Sequence, residues 1–345
     1  MNNVFLRDVL IQGKAMRRAL GFYEKYTVQW EKIAALKPRH ILFTGMGSSH
    51  YCSYPASIQL NEGGIPAKVV SASELLYYEM NSIREDTLLV LISQSGESGE
   101  IVDLIKRLPA NQLVIGITND SKSALGRRAN IRLDMKVENE LAVSTRTYLA
   151  SLILADVAAN ALLHQSIPNV LTQWKNTVDA LDAVLVDSKI IQDMIVKHID
   201  YPATLCYIAR GPSLATAECA ALFTRETAKY PALAFDSGEF RHGPFEMVDD
   251  SFRAMIFAPS GKTYVLQRHL AQAIAECGGK VVFVTDCEDA FEEEQISVLT
   301  LPSVPERFAP LLQIVPAQCF ANAMALHLGH APGVFRQSSK ITTAQ

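Results

Sequence analysis

The chain has 345 residues, 49% of them hydrophobic and 20% charged, with a formal net charge of −4 and a pI near 6.1. That length accommodates two domains of ordinary size, and the composition is that of a globular chain with a substantial core, not of a disordered one. The acidic balance argues against nucleic acid as the main partner, so any phosphate has to be held by hydroxyls and amides and not by a basic field.

Helical periodicity runs through residues 5–35 (Val9, Leu10, Met16, Leu20, Tyr23, Val28, Ile33), weakened at Gly13 and Gly21. Residues 1–35 therefore read as a helical lead-in. His40–Thr44 reads as a short buried strand ended by Gly45-Met46-Gly47-Ser48-Ser49, with a helix over 49–62. Ala67–Ser71, Leu88–Ser93, Leu113–Thr118 and Ile131–Met135 read as further strands with helical stretches between them. Such alternation predicts a mostly parallel sheet covered on both faces, here a first domain over residues 36–165. Tyr148–Leu163 is apolar and helical. Residues 166–200 are polar-helical without a strand, so the link between domains is placed there. A second domain, 201–345, opens with a strand at Ala203–Ala209, continues with a helix at Leu214–Lys229, and has strands at Ala254–Ala258, Val281–Thr285 and Ile296–Leu301.

The second half repeats the first. ILFTGMGSS parallels LCYIARGPS, VLISQSGES parallels MIFAPSGKT, and VIGITND parallels VVFVTDC. Gly211 follows Gly47 by 164 residues, Ser260 follows Ser95 by 165, and Thr285 follows Thr118 by 167. A steady offset over three strand–turn units indicates a duplicated α/β domain. Loss of the Ser/Gln set in the second copy leaves one phosphate cradle expected.

That cradle centres on Leu88–Glu100. A buried strand ends in Ser93-Gln94-Ser95-Gly96-Glu97-Ser98, and a helical pattern resumes at Ile101. Backbone N–H groups, hydroxyls and the positive end of a helix converge there, which suits a phosphate monoester. No Gly-Lys-Ser/Thr follows, so this is not a Walker loop. Taken alone, an SxSG is an ordinary polar turn. Two more polar loops follow apolar segments, Gly47-Ser48-Ser49 and Ala142-Val143-Ser144-Thr145, and together the three offer seven hydroxyls. In a doubly wound sheet such loops face one crevice.

In the second half, Asp236-Ser237-Gly238-Glu239-Phe240-Arg241-His242-Gly243-Pro244 reads as a sharp turn bearing a carboxylate, a guanidinium and an imidazole. Glu226 lies on the preceding helix among Leu222, Phe223 and Ala228, and partial burial would suit it to acid–base work. The histidines at 50, 164, 198, 269, 327 and 330 read as structural, and Glu292–Glu294 as a solvated face. The six cysteines form no CxxC pair and no metal-like spacing with the histidines. They read as buried thiols of a reduced compartment. No signal-type h-region is present, and no apolar run approaches the ~18 residues of a membrane span. The expected location is the cytoplasm.

The combination GMGSS, SQSGES, AVSTR, GEFRHGP and terminal SSKITT resembles the sugar isomerase (SIS) family, from about Ile41 to Lys340. Within it the chain is most similar to the isomerase half of glucosamine-6-phosphate synthase and to fructosamine-6-phosphate deglycases. The resemblance implies two flavodoxin-like, doubly wound SIS domains, with a helical lead-in and a C-terminal tail. It implies sugar-phosphate binding at Gly47, Ser48, Ser49, Ser93, Gln94, Ser95 and Ser98, with Ala142 and Ser144 lining the pocket. It also implies Glu226 and His242, 16 residues apart, as catalytic groups, with Lys340 reaching the substrate carbonyl. A homodimer with shared sites is expected, and no metal or organic cofactor, because a carbonyl with an α-amine already supplies the electron sink.

Two departures bear on activity. The chain starts Met1-Asn2-Asn3 where the synthase carries a glutaminase domain, so no built-in ammonia source is expected. Where the synthase places a lysine three residues before the glutamate, this chain has Phe223. The expected function is hydrolysis of a sugar–amino-acid adduct, of the fructoselysine- or glucoselysine-6-phosphate kind. An amino-sugar-phosphate deaminase or isomerase is the nearest rival, and a non-catalytic sugar-phosphate sensor the distant one.

Overall fold

The computed structural model describes residues 3–140, 143–201, 204–288, 291 and 293–337. The chain divides into two compact units. One contains Lys14–Asn176, and the other contains Thr177–Phe335 together with the N-terminal segment through Gly13.

The lead-in forms three helices, α1 Val4–Leu10, α2 Gln12–Tyr23 and α3 Thr27–Ala34. Their breaks fall at Ile11 and before Tyr26, not at the two glycines. The first sheet and its helices follow in order: β1 His40–Gly45, α4 Ser48–Tyr51, α5 Tyr54–Glu62, β2 Ala67–Ser71, α6 Ala72–Tyr77, β3 Thr87–Ile92, α7 Gly99–Arg107, β4 Val114–Thr118, α8 Ala124–Arg128, β5 Ile131–Asp134 and α9 Arg146–Leu162. The single helix expected over 49–62 is two, parted at Cys52-Ser53. Two helices, α10 Ile167–Val186 and α11 Ser188–Ile199, lead to the second sheet. It comprises β6 Thr204–Ala209, α12 Leu214–Ala228, β7 Ala232–Asp236, α13 Ser237–Arg241, β8 Phe252–Phe257, α14 Tyr264–Glu276, β9 Lys280–Thr285, β10 Ile296–Thr300 and α15 Ala309–His327.

Both sheets are five-stranded, with orders β2-β1-β3-β4-β5 and β10-β9-β8-β6-β7, and every pairing is parallel. Read from their third-ranked central strand outward, the two orders are the same doubly wound topology. The two doubly wound α/β domains expected from the alternation and the repeat are present. Central strands are apolar on both faces because helices cover both sides: β3 and β4 are buried along their whole length.

Strand β7 was not among the expected elements. It is a short edge strand, follows Pro231 and is mostly half-exposed, so it lacks the continuous apolar run that marks its neighbours. Helix α15 corrects a second expectation. Glu306–His327 is long and apolar enough by length and composition to cross a membrane, but 94% of its most apolar window lies inside the fold. It packs on α12, α11 and α1, and its polar members find partners there: Gln318 pairs with Gln12 and Asn322 with Asn3. Not all cysteines are buried, since Cys277 is exposed at the end of α14.

Gly21 and Gly45 separate the two meanings a glycine carries in this fold. A Cβ on Gly21 would touch nothing within 4 Å, whereas one on Gly45 would lie 2.7 Å from the Ser49 carbonyl oxygen and 2.8 Å from that of Ile92. Gly45→Ala is therefore expected to destabilise the fold by about 1–3 kcal/mol through backbone overpacking. Gly21→Ala is expected to stabilise it by about 0.5–1 kcal/mol through helix propensity. Denaturant titration of both variants checks the contrast, and equal effects would contradict it.

Candidate functional site

The carboxyl ends of β1 and β3 lie side by side, and the chain leaves them in opposite directions, β1 toward β2 and β3 toward β4. This is the switch point of a doubly wound sheet, where the crevice opens. The Gly45 close approach shows how tightly the two ends meet, since one missing side chain separates the backbone of the Ser48–Tyr51 turn from the end of β3.

Each loop is shaped by a glycine with positive φ. Gly47 (φ 54°) precedes α4 and puts Ser48 and Ser49, both half-exposed, in its first turn. Gly96 (φ 65°) turns the second loop. Around it the serines accept backbone bonds: Ser93 Oγ takes the Gly96 N–H at 3.1 Å and lies 3.2 Å from Ser98 Oγ, and Ser95 Oγ takes the Glu97 N–H at 3.2 Å. A hydroxyl whose oxygen accepts from the backbone keeps its proton for another acceptor. Ser98 is the N-cap of α7, yet its side chain makes no capping bond. The amides of the first turn of α7 thus lack an intrahelical partner and sit at the positive helix end.

The loop is held from behind by the segment after β4. Gln94 O accepts from Asn119 N at 2.9 Å and Thr118 Oγ1 at 3.2 Å, Gly96 O accepts from Leu125 N at 3.1 Å, and Glu97 Oε1 accepts from Ala124 N at 2.6 Å. The last bond matters electrostatically. A carboxylate within an anion-binding loop would repel the ligand, and here it is turned onto the N-terminus of α8 instead.

The third loop behaves differently. Glu140, only 5% exposed, accepts from Thr145 N, Thr145 Oγ1 and Thr147 N through Oε1 at 2.8–3.0 Å and from Thr147 Oγ1 through Oε2 at 2.6 Å. The N-terminus of α9 already holds its own anion. Ser144 is half-exposed, Thr145 is buried, and Ala142 lies outside the described residues. Helix α4 packs on α9, so this loop borders the first. The α4 and α7 loops are thus the candidate anion seat, with Glu140 fixing the third loop. Glu140 was not foreseen: it acts five and seven residues ahead of its donors, which matches no capping-box spacing.

In the second unit the expected sharp turn is a capped helical turn. Asp236 Oδ1 accepts from Gly238 N at 2.7 Å and Glu239 N at 3.2 Å, starting α13. Phe240 is buried and anchors it against Phe235, Phe245 and Phe252, with ring centroids 5.4–6.0 Å apart. Glu239, Arg241 and His242 are exposed. Glu226 is half-buried in the last turn of α12. Its neighbour Arg225 donates to Ala232 O at 3.1 Å, and Ala232 is the first residue of β7, opposite Leu205 at the amino edge of the sheet. His242 follows Asp236, the last residue of β7, at the carboxyl edge. The five residues of β7 separate those edges by roughly 13 Å. One chain does not bring Glu226 and His242 together within this unit. Phe223, which stands where the synthase has a lysine, is 1% exposed. Lys340 lies outside the described residues. Among the described residues no cluster of three His, Cys, Asp or Glu side chains is arranged to hold a metal ion.

Residues 36–161 and 201–328 each match the SIS domain. The chain belongs to the SIS domain family. It is 30% identical over 352 residues to the isomerizing glutamine–fructose-6-phosphate aminotransferase of Pyrococcus horikoshii, covering 99% of this chain and 57% of that one. A homologous enzyme of Zymomonas mobilis is 26% identical, over 89% and 52% of the respective chains. The SIS chain therefore spans about half the length of these relatives. Among solved structures, the C-terminal domain of glucosamine-fructose-6-phosphate aminotransferase from Francisella tularensis superposes with a TM-score of 0.84, at 22% identity and over 95% and 97% of the two chains. Glucosamine-6-phosphate deaminase from Thermotoga maritima gives 0.79, at 20% identity and over 98% and 99%. These two likenesses show the shared fold.

Removing Glu140 orphans four buried donors. Glu140→Ala is expected to destabilise the protein by about 3 kcal/mol or more, while Glu97→Ala, which frees one helix amide, is expected to cost about 1 kcal/mol. Chemical denaturation distinguishes them. A Glu140→Ala chain as stable as the wild type would contradict the buried network.

Proposed function

We propose that this SIS chain is a deglycase that cleaves a 6-phosphorylated ketosamine, a sugar phosphate carrying an amino acid on C1, into glucose 6-phosphate and the free amino acid. The observation that carries the phosphate half of this reading is the uncapped first turn of α7 beneath the Ser93, Ser95 and Ser98 hydroxyls. With a net charge of −4, the chain holds a dianion by aimed neutral donors and a helix end. Gly47, Ser48, Ser49 and Gln94 complete the seat, and Ala142 and Ser144 line the sugar.

With the phosphate fixed, the reacting carbons are held by proximity and orientation. His242 moves the proton at the ring oxygen and opens the ring. The Glu226 carboxylate removes a proton from C1 of the open ketosamine, giving the 1,2-enaminol, and returns it to C2, leaving an imine at C1. Water adds to that carbon, the C–N bond breaks, and the amino acid departs as its amine. Lys340 polarises the substrate carbonyl. Because Glu226 and His242 sit at opposite edges of one unit, the reading pairs Glu226 of one subunit with His242 of a second copy in a homodimer. A lysine absent at the position of Phe223 favours a substrate that brings its own amine. Glucosamine 6-phosphate is the second reading, favoured by the extent of the likeness to the Thermotoga deaminase.

Ser95→Ala removes one donor to a charged group, worth about 1.5–3 kcal/mol. It is expected to raise KM for phosphorylated sugars about 10- to 100-fold with kcat little changed, and an unaltered KM would remove the cradle from the mechanism. Glu226→Gln is expected to abolish turnover and preserve binding. Mixing Glu226→Gln with His242→Ala chains should restore about a quarter of wild-type activity, since half the dimers are mixed and each mixed dimer has one intact site. No recovery would place both groups in one subunit. Substrate choice is read by glucose 6-phosphate release from phosphorylated fructoselysine and glucoselysine, against ammonia release from glucosamine 6-phosphate. Release from the adducts supports the deglycase, ammonia the deaminase.

A further inference from the structure

The second sheet has a switch point of its own, between the carboxyl ends of β6 and β8. Its two loops, Arg210-Gly211-Pro212-Ser213 and Ala258-Pro259-Ser260-Gly261-Lys262, stand where the first domain has Gly47-Ser48-Ser49 and Ser93–Ser98. The crevice between them is filled by a carboxylate. Glu306 sits in the short helical turn before α15. A Cβ on Gly261 would lie 2.4 Å from Glu306 Oε2, and one on Gly211 3.8 Å from Oε1, so the carboxylate rests on both loops at once. It faces the Lys262 N–H at 3.5 Å. Lys262 stands two residues ahead of α14, whose N-cap, Thr263, makes no side-chain capping bond. This is the position that α7 and Ser98 hold in the first domain. Ser260, the counterpart of Ser95, is diverted: its N–H and Oγ both donate to Asp286, at 2.5 and 2.7 Å, and Ser303 joins the same carboxylate at 2.8 Å.

We infer that the second switch point is an anion seat that the chain fills itself, with the carboxylate of Glu306 in place of a ligand phosphate. The duplicated domain thereby keeps the geometry of the cradle and binds no second phosphosugar. A glutamate delivered from the segment leading into α15 satisfies the loop after β8 and fastens α15, the most buried helix of the unit, to the sheet edge that would otherwise be open.

The inference rests on the cradle reading for its comparison site, and the experiment separates the two. Binding of inorganic phosphate is measured by titration calorimetry for wild type, Ser95→Ala, Glu306→Ala and the double variant, with folding checked by circular dichroism. At phosphate concentrations that fill an intact seat but not one weakened about 10- to 100-fold, the expected numbers bound per chain are one, none, two and one, so that in the Ser95→Ala background the Glu306 deletion raises phosphate affinity by at least about tenfold. A folded Glu306→Ala chain that binds like wild type, in either background, overturns the inference. Ser95→Ala that binds like wild type overturns the first cradle instead. If Glu306→Ala does not fold, the seat is tested by a cycle using Gly261→Ala and Glu306→Gln: the added methyl should push the carboxylate off the loop and cost the wild type more than it costs Glu306→Gln, which has less charge-assisted bonding to lose. Additive effects would contradict a carboxylate seated on Gly261.

Discussion

The backbone approach at Gly45 is the constraint on which the rest of the first domain depends. Strand β1 ends so close to β3 that a single Cβ would meet two carbonyl oxygens, from Ser49 and Ile92. Because the strands part there, α4 and α7 leave the sheet from neighbouring points and bring two hydroxyl-bearing turns to one crevice. Everything else at the site is support for that convergence. The segment after β4 braces the second turn from behind, and the Glu97 carboxylate is drawn onto α8. Glu140 closes α9 with a buried anion. An acidic protein can seat a dianion this way because the donors are neutral, short-range and already aimed.

Duplication supplied two such crevices, and the chain treats them differently. In the first the serine oxygens accept from their own loop and, apart from the proton shared between Ser93 and Ser98, keep their protons for another acceptor. In the second the serine is spent on Asp286 and the crevice on Glu306. On the proposed reading the second domain carries the protons: His242 follows α13 on a turn pinned by Phe240, and Glu226 lies in the last turn of α12 on the far edge. Splitting those two groups across opposite edges of one unit is what makes a second subunit part of the chemical argument.

Much of this was legible in the sequence where burial is two-sided. Strands covered on both faces read as unbroken apolar runs, so β1, β3, β4, β6, β8 and β9 stand out, and the near-constant offset between the halves carries the duplication. Edge strand β7 did not stand out, because half its residues face solvent. The GEFRHGP segment looked like a turn, since glycine and proline frame it, while the Asp236 cap that makes it helical is a one-atom matter of where a carboxylate points. Helix α15 hid behind Gln313, Pro316, Gln318 and Asn322, all buried. Glu140 and Glu306 were invisible for the same reason: each acts across a fold-determined gap on backbone amides that no spacing rule connects to it.

The central claim is that one anion seat, at the N-terminus of α7, holds the sugar phosphate. The most direct measurement is a crystal structure of the protein soaked with glucose 6-phosphate. The account predicts phosphate density within hydrogen-bond reach of the first-turn amides of α7 and of Ser93 or Ser95, with the Glu306 carboxylate still filling the second crevice. Phosphate density at the second switch point, or none over α7, would contradict it.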